Sequence, residues 1–340
     1  MDDKKRMKDI AEIAGVSPGT VSNALNNKKG VSEETRNRVI KIAASMGYQK
    51  TGVAINSRII RLIIVNSLRE SVELYSDFIF QVIDGINIRS RELGYEVLVT
   101  RVKLDDLNEC LNSPTNADGS IVLASELVTQ DFEKITCLSS HPVVMLDNCC
   151  PEAPFEMVSS NNEGGFYIAT RHLIENGHKK IGLLWHKTVF QNFLNREVGY
   201  HRALKLYGLD YDPRYKFELS YTFNECCRDM AEILKKTDVK SQDFPTAFAA
   251  VTDVAAVSAM KAFAEVGVKV PEDVSIVGFD NTSYCEVSTP PLTSINNGFK
   301  NLAMIAAERL VDKIEQKNTS RFITIVSGEL ISRESVKKIK

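Results

Sequence analysis

The chain opens with three short stretches in which apolar residues recur at helical spacing, and from residue 59 onward its pattern changes. Ile10, Ala11 and Ala14 share one face of a helix predicted from Lys8 to Ala14, and Gly15 follows where a left-handed residue closes such a helix. Val16 is an apolar turn residue placed to plug the angle between two helices. Ser17 is a good N-cap, and Pro18 suits a first helical turn, where its missing N–H would be unpaired anyway. Val21, Ala24 and Leu25 form the buried stripe of a second helix. Ser32 caps a third, in which Glu33 and Glu34 complement the positive end of the dipole and Val39, Ile42, Ala43 and Met46 continue the apolar face to Gly47. Beyond residue 59, short apolar runs alternate with helical stretches. Strands are predicted at 62–65, 96–99, 120–123, 143–146, 180–184, 246–251 and 275–279, and helices at 78–93, 164–176, 196–207, 224–236 and 255–266.

Apolar strands joined by helices imply doubly wound parallel sheets covered on both faces. The roughly 270 residues concerned exceed one such sheet, so two lobes with a cleft are expected, with ligands beyond the carboxyl ends of the strands. The first segment has the order of a helix-turn-helix: helix, Gly-containing turn, helix, support helix. A plain three-helix bundle satisfies the same periodicity. The outer face of the second helix separates the two readings. Gly19, Thr20, Ser22, Asn23 and Asn26 are short or hydrogen-bonding, and they let a backbone approach phosphates where a plain bundle would carry Glu and Lys.

Charge adds to this picture through its distribution. Residues 1–58 hold 11 Lys/Arg against 6 Asp/Glu, while the whole chain has a net charge of −2. A basic head on an acidic body directs only the head toward a polyanion. No charged start followed by an apolar run of export type is present, and no apolar stretch is long enough to span a membrane, so a cytoplasmic protein is expected. The seven cysteines are odd in number and lack CxxC spacing, as expected of reduced, partly buried thiols.

The run Lys8-Asp9-Ile10-Ala11, Ala14-Gly15-Val16-Ser17, Thr20-Val21-Ser22, Leu25-Asn26, Val31-Ser32, Thr35-Arg36 and Gly47-Tyr48 closely resembles the headpiece of the lactose/galactose-repressor-type family of bacterial transcription regulators. The resemblance implies that Pro18, Gly19 and Asn23 read base edges, with Ser17, Thr20, Ser22, Asn26 and Thr35 at or near phosphates. Asn23 stands where the family often has Arg, and Pro18-Gly19 offers almost no side-chain donors. Base reading then rests on Asn23, on contact with thymine methyls or on backbone approach. After Tyr48 the chain departs from the family's hinge. Lys50 stands in place of a Pro, and Ser57 in place of the Leu that wedges into the minor groove; a serine unstacks bases poorly.

The resemblance continues through Pro142-Val143-Val144-Met145-Leu146-Asp147, Gly177-His178-Lys179-Lys180-Ile181, Arg196, Gly199-Tyr200, and the run from Pro271 through Gly278-Phe279-Asp280. It implies an all-α helix-turn-helix headpiece (1–49), a hinge (50–60) and an α/β two-lobe sensor of periplasmic-binding-protein type (61–340). Three crossings would divide the lobes at about 60–161 plus 292–322 and 162–291 plus 323–340. The implied effector contacts are Arg196 and Asp280 first, then Asp147 and Asn192, with Phe78 and Ile79 against an apolar ring face. A guanidinium fork and a carboxylate together suit a polyol or sugar. Trp185, the only tryptophan, follows a strand and either stacks on a ring or belongs to the core. Thr252 replaces the Asn that usually precedes the Asp of this segment, which alters one polar contact.

Function is therefore expected to be allosteric. A homodimer would bind a pseudo-palindromic duplex operator as a repressor of metabolic genes, under control of a sugar-like effector and with no cofactor, metal or membrane. Enzyme readings lack their signatures: there is no GxGxxG after a strand, no GxxxxGK[ST] and no GxSxG. His172 and His178 are spaced too far apart for HExxH and read as a solvent-facing pair. A solute-binding protein of the same fold has no use for a helix-turn-helix head.

Overall fold

The computed structural model describes residues 2–25, 30–46, 58–66, 76–113, 116–135, 142–317 and 320–339. The chain divides into two compact units, Met1–Ser57 and Arg58–Lys340.

The first unit consists of α1 (Asp2–Ala14), α2 (Pro18–Leu25) and α3 (Glu33–Ser45) around Ile10, Ala11, Ala14, Val21, Ala24, Val39 and Ala43. Gly15 has a φ of +66° and its N–H bonds to Glu12, while Val16 N–H bonds to Ala11 at 3.0 Å, which closes α1. The Ser17 hydroxyl accepts from Thr20 N–H at 3.0 Å, the capping bond expected of it. α1 starts six residues earlier than apolar periodicity indicates, because residues 2–6 are all charged and Met7 alone extends the stripe.

The second unit holds two six-stranded sheets. In chain order, the N-lobe contains β1 (Ile59–Asn66), α4 (Ser76–Glu92), β2 (Glu96–Lys103), α5 (Leu107–Asn112), β3 (Gly119–Leu123), α6 (Thr129–Lys134), β4 (Val143–Leu146) and β5 (Glu156–Ser160). The C-lobe follows with α7 (Asn162–Glu175), β6 (Ile181–His186), α8 (Gln191–Leu206), β7 (Lys216–Leu219), α9 (Phe223–Lys235), β8 (Ala247–Ala250), α10 (Asp253–Glu265), β9 (Ser275–Phe279), α11 (Tyr284–Val287) and β10 (Thr293–Asn296). The chain returns for α12 (Phe299–Ile314) and β11 (Ile323–Val326), and ends on β12 (Glu329–Ile331).

The N-lobe sheet runs β11-β5-β4-β3-β1-β2 and is parallel throughout; the C-lobe sheet runs β12-β10-β9-β8-β6-β7, with only β12 antiparallel. Helices cover both faces. Ile60, Leu62 and Ile64 of β1 pack toward α4 and α12, whereas Ile63 and Val65 face a second cluster with Leu107, Leu111 and Phe132. Every residue of β3 and β4 is buried, as parallel central strands require.

Three crossings join the lobes, but two fall later than expected. β10 pairs with β9 and so belongs to the C-lobe, which puts the second crossing near 297 rather than 292. β11 pairs with β5 in the N-lobe, which puts the third near 327 rather than 323. Thr293-Ser294 and Thr324 break the apolar runs of these short strands, so periodicity hides them. A buried ion network fixes the returning helix: Glu156 on β5 holds Arg309 at 2.5 Å and Lys313 at 3.2 Å, both on α12.

Candidate functional site

In the headpiece, Ser17, Pro18, Gly19 and Asn23 are exposed at and along α2, while Thr20 and Ser22 are half-buried. Asn23 thus presents its amide outward from the second helix of the motif. Ser17 is also bonded to the Thr20 hydroxyl at 2.9 Å, so part of its polarity serves the helix start. Thr35 sits in the first turn of α3 and is bonded to the Ser32 hydroxyl at 2.8 Å. Asn26 and Ser57 lie outside the described residues.

In the sensor, a cavity of about 60 Å³ lies where the two lobes meet. Asp147 follows β4 of the N-lobe and Asp280 follows β9 of the C-lobe, so each carboxylate stands at the carboxyl end of a central strand. Both have left-handed backbones, with φ of 59° and 104°. Such conformations are uncommon for residues other than glycine and concentrate where side-chain placement matters. Asp147 N–H bonds to Val158 and Asp280 N–H to Ile295, which keeps each turn against its own sheet.

α8 begins at Gln191, five residues before the expected start, because Asn192 and Asn195 interrupt its apolar stripe. The earlier start puts Asn192 and Arg196 one turn apart on the same face. Arg196 is 4% exposed and committed on every side. Its Nε donates to Asn162 Oδ1 at 2.8 Å, Nη1 to the Val251 carbonyl at 2.6 Å and Nη2 to Asp280 Oδ1 at 3.1 Å. The guanidinium carbon lies 3.9 Å from the centre of the Phe279 ring. Asn192 donates across the lobes to the Asp147 carbonyl at 3.0 Å and accepts from Asn162 at 3.1 Å. Asn297 completes the row by donating to Asp280 Oδ1.

Burial dominates the electrostatics. It pushes Asp147 up to about 7, against the opposing pull of the Ser125 hydroxyl and the Arg196 charge. Asp280 is raised by burial too, with Arg196 working the other way.

Phe78, Ile79, Asp147, Asn192, Arg196 and Asp280 are therefore brought together around one cavity. Trp185 and Thr252 are not. Trp185 is on β6 with its ring in the core, edge-on to Phe193 and 4.3 Å from the Lys216 ammonium. Its side chain packs into the C-lobe core cluster with Leu183, Phe193 and Tyr200 and does not line the cavity. Thr252 caps α10 by accepting from Ala255 N–H, and its hydroxyl pairs with His186 Nε2 at 2.9 Å. His178 does not face solvent: it is buried, bonded to Thr246 and the Lys337 carbonyl, because the turn at Gly177 brings it under the C-terminal segment.

Sequence reasoning missed Phe190, Phe193 and Tyr221, which form the aromatic wall on the C-lobe side, and Phe299 opposite them. It also missed Asn162 and Asn297, the polar residues at two crossings. The signal available for these two was amide side chains set between apolar strands and helices, in Ser159-Ser160-Asn161-Asn162 and Asn296-Asn297.

Residues 6–50 match the family model described as bacterial regulatory proteins, lacI family, and residues 170–336 match a periplasmic binding protein-like domain. The HTH-type transcriptional repressor PurR of Vibrio vulnificus is 30% identical over 345 residues, covering 98% of this chain and 99% of that protein. PurR of Aliivibrio salmonicida is 29% identical over 343 residues, with the same coverage of both chains. Among solved structures, the lac repressor dimer bound to operator and the anti-inducer ONPF aligns with a TM-score of 0.82 at 25% identity, over 97% of this chain and 98% of that one. The complex of the transcriptional regulator CelR with cellobiose aligns with a TM-score of 0.71 at 26% identity, over 97% and 99%. Among the described residues, no helix is long and apolar enough to cross a membrane. The chain belongs to the LacI family of bacterial regulatory proteins and is a DNA-binding transcription regulator rather than an enzyme.

Proposed function

We propose that this protein is a cytoplasmic repressor that binds a pseudo-palindromic operator as a homodimer and is controlled by a small hydroxyl-rich ring molecule, a sugar or a derivative of one. The observation that carries the effector reading is the row Asp147, Asn192, Asn162, Arg196, Asp280, built from both lobes along one cavity. A ligand bonded to both ends of that row favours one mutual orientation of the lobes, and differential affinity for two orientations is what allostery requires. Asp280 Oδ1 is occupied by Arg196 and Asn297, which leaves Oδ2 to accept from a ligand hydroxyl.

A thermal-shift screen of sugars, polyols, nucleosides and phosphorylated metabolites tests this, since a ligand at 100-fold its Kd stabilises by about 2.7 kcal/mol. Asp280→Ala is expected to weaken the ligand found by at least about tenfold, a loss on the scale of one buried unpaired group. Unchanged calorimetric affinity removes Asp280 from the site.

On the DNA side, Asn23 is proposed to read an adenine through N6 and N7, worth about 1–3 kcal/mol of discrimination. Asn23→Ala should relax one position per half-site in a binding-site selection, while Thr20→Ala weakens all sites alike. An unchanged sequence preference for Asn23→Ala refutes the assignment. Dimerisation has a candidate surface in Phe80 on α4 with Leu98 and Val99 on the edge strand β2, all exposed. Sedimentation at micromolar concentration should give the dimer mass; a monomer there rules the dimer out.

A further inference from the structure

Among the described lining residues of the cleft, two buried carboxylates, Asp147 and Asp280, share one cationic side chain, Arg196. That guanidinium is already bonded to Asp280, Asn162 and Val251. Asp147 is 4% exposed; its Oδ2 lies 3.4 Å from Asn192 Nδ2, and the neutral Ser125 hydroxyl is the other donor that favours its charged form, while Oδ1 has no hydrogen bond of normal length among the described residues. Around it stand Phe78 and Phe299 from the N-lobe and Phe190, Phe193 and Tyr221 from the C-lobe. Their ring faces are negative and attract cations. A ligand hydroxyl would satisfy Oδ1 but leave the buried charge unbalanced, whereas a cationic N–H donor answers both needs.

We infer that the effector carries a protonated amine, seated between the Asp147 carboxylate and the aromatic walls, on a ring whose hydroxyls reach Asp280: an amino sugar or a similarly aminated ring compound. This rests on the proposed effector cleft and narrows its ligand class. Protons supply an independent readout. Burial raises Asp147 to about 7, and the charged groups facing it are Arg196 and Asp280 from the C-lobe and Glu126 from its own lobe. A bound ammonium favours the ionised carboxylate, so amine binding near pH 7 releases a fraction of a proton to buffer.

Titration calorimetry of the full chain at pH 7 tests this with three matched pairs: D-glucosamine against D-glucose, D-galactosamine against D-galactose, and benzylamine against benzyl alcohol. In at least one pair the amine is expected to bind about tenfold or more tightly than its neutral partner, with heats that differ between buffers of different ionisation enthalpy. Asp147→Asn should erase both the preference and the buffer dependence. Neutral partners that bind as well as the amines overturn the inference. So does an amine preference that survives Asp147→Asn without proton release, or failure of all three amines to bind. The cleft reading stands through any of these results; it falls only if no compound of the wider thermal screen binds.

Discussion

Arg196→Ala is expected to destabilise the sensor by about 3–5 kcal/mol at pH 8, the usual cost of removing one partner from a buried ion pair. The cost is that of what remains behind. Asp280 keeps Asn297 as a donor but loses its counter-ion, while the Asn162 Oδ1 and the Val251 carbonyl lose the donor that Arg196 supplies. Burial already raises Asp280, and without the Arg196 charge it must rise further. A carboxyl whose folded pKa is raised favours the folded state fully below its unfolded value near 3.8, and loses that advantage as pH climbs through the folded value. The deficit of Arg196→Ala should therefore be largest at pH 8 and shrink as the pH falls toward 4. Urea unfolding midpoints at several pH values measure it. A deficit that stays constant with pH assigns the loss to the hydrogen bonds and packing over Phe279, not to the stranded carboxylate.

The strands that place these groups were legible because buried parallel strands are predominantly apolar: 143–146 and 275–279 match β4 and β9 end for end. Asp147 and Asp280 directly follow these two runs, and the family resemblance singled them out as effector contacts. The short strands β5, β7, β10, β11 and β12 were not legible, because segments of three to five residues such as Lys216–Leu219 carry too few apolar positions to show a period. That is why two crossings were misplaced. The aromatic wall escaped for a different reason. Phe190 and Phe193 carry the spacing of ordinary core residues, and only the fold shows that they are turned toward a cavity. Trp185 failed in the opposite sense: its rarity drew attention, but strand β6 buries both faces. The hinge around Ser57 and the residue Asn26 lie outside the described residues, so their proposed DNA contacts rest on the family resemblance.

Asp147→Asn is expected to stabilise the protein above pH 7, by about 2–4 kcal/mol, and to leave it nearly unchanged at pH 4. Burial raises this carboxyl from 3.8 to about 7. The unfolded chain gives up the proton near 3.8, whereas the folded chain holds it until about 7. Between those values the folded state binds more protons, so wild-type stability falls as pH rises and levels off above the folded pKa. Every tenfold gain in proton affinity is worth about 1.36 kcal/mol, which sets an upper limit of about 4 kcal/mol before local relaxation and water reduce it. Asparagine has the same shape and no charge to bury. The interlobe bond from Asn192 goes mainly to the backbone carbonyl of residue 147 and survives the change. Asp253, raised to about 7 by burial as well, is present in both proteins and cancels in the comparison. Unfolding at pH 4 and pH 8 of both proteins without effector decides the matter. Lower stability of the variant at pH 8 would mean that Asp147 is already well served as an anion, with Arg196 sufficient to hold it, and would remove the electrostatic need for a cationic ligand. A gain in stability identifies a carboxylate kept at a cost to folding, as expected where a residue is retained for binding. A saturating amine ligand should then recover that cost for the wild type at pH 8 and stabilise Asp147→Asn far less.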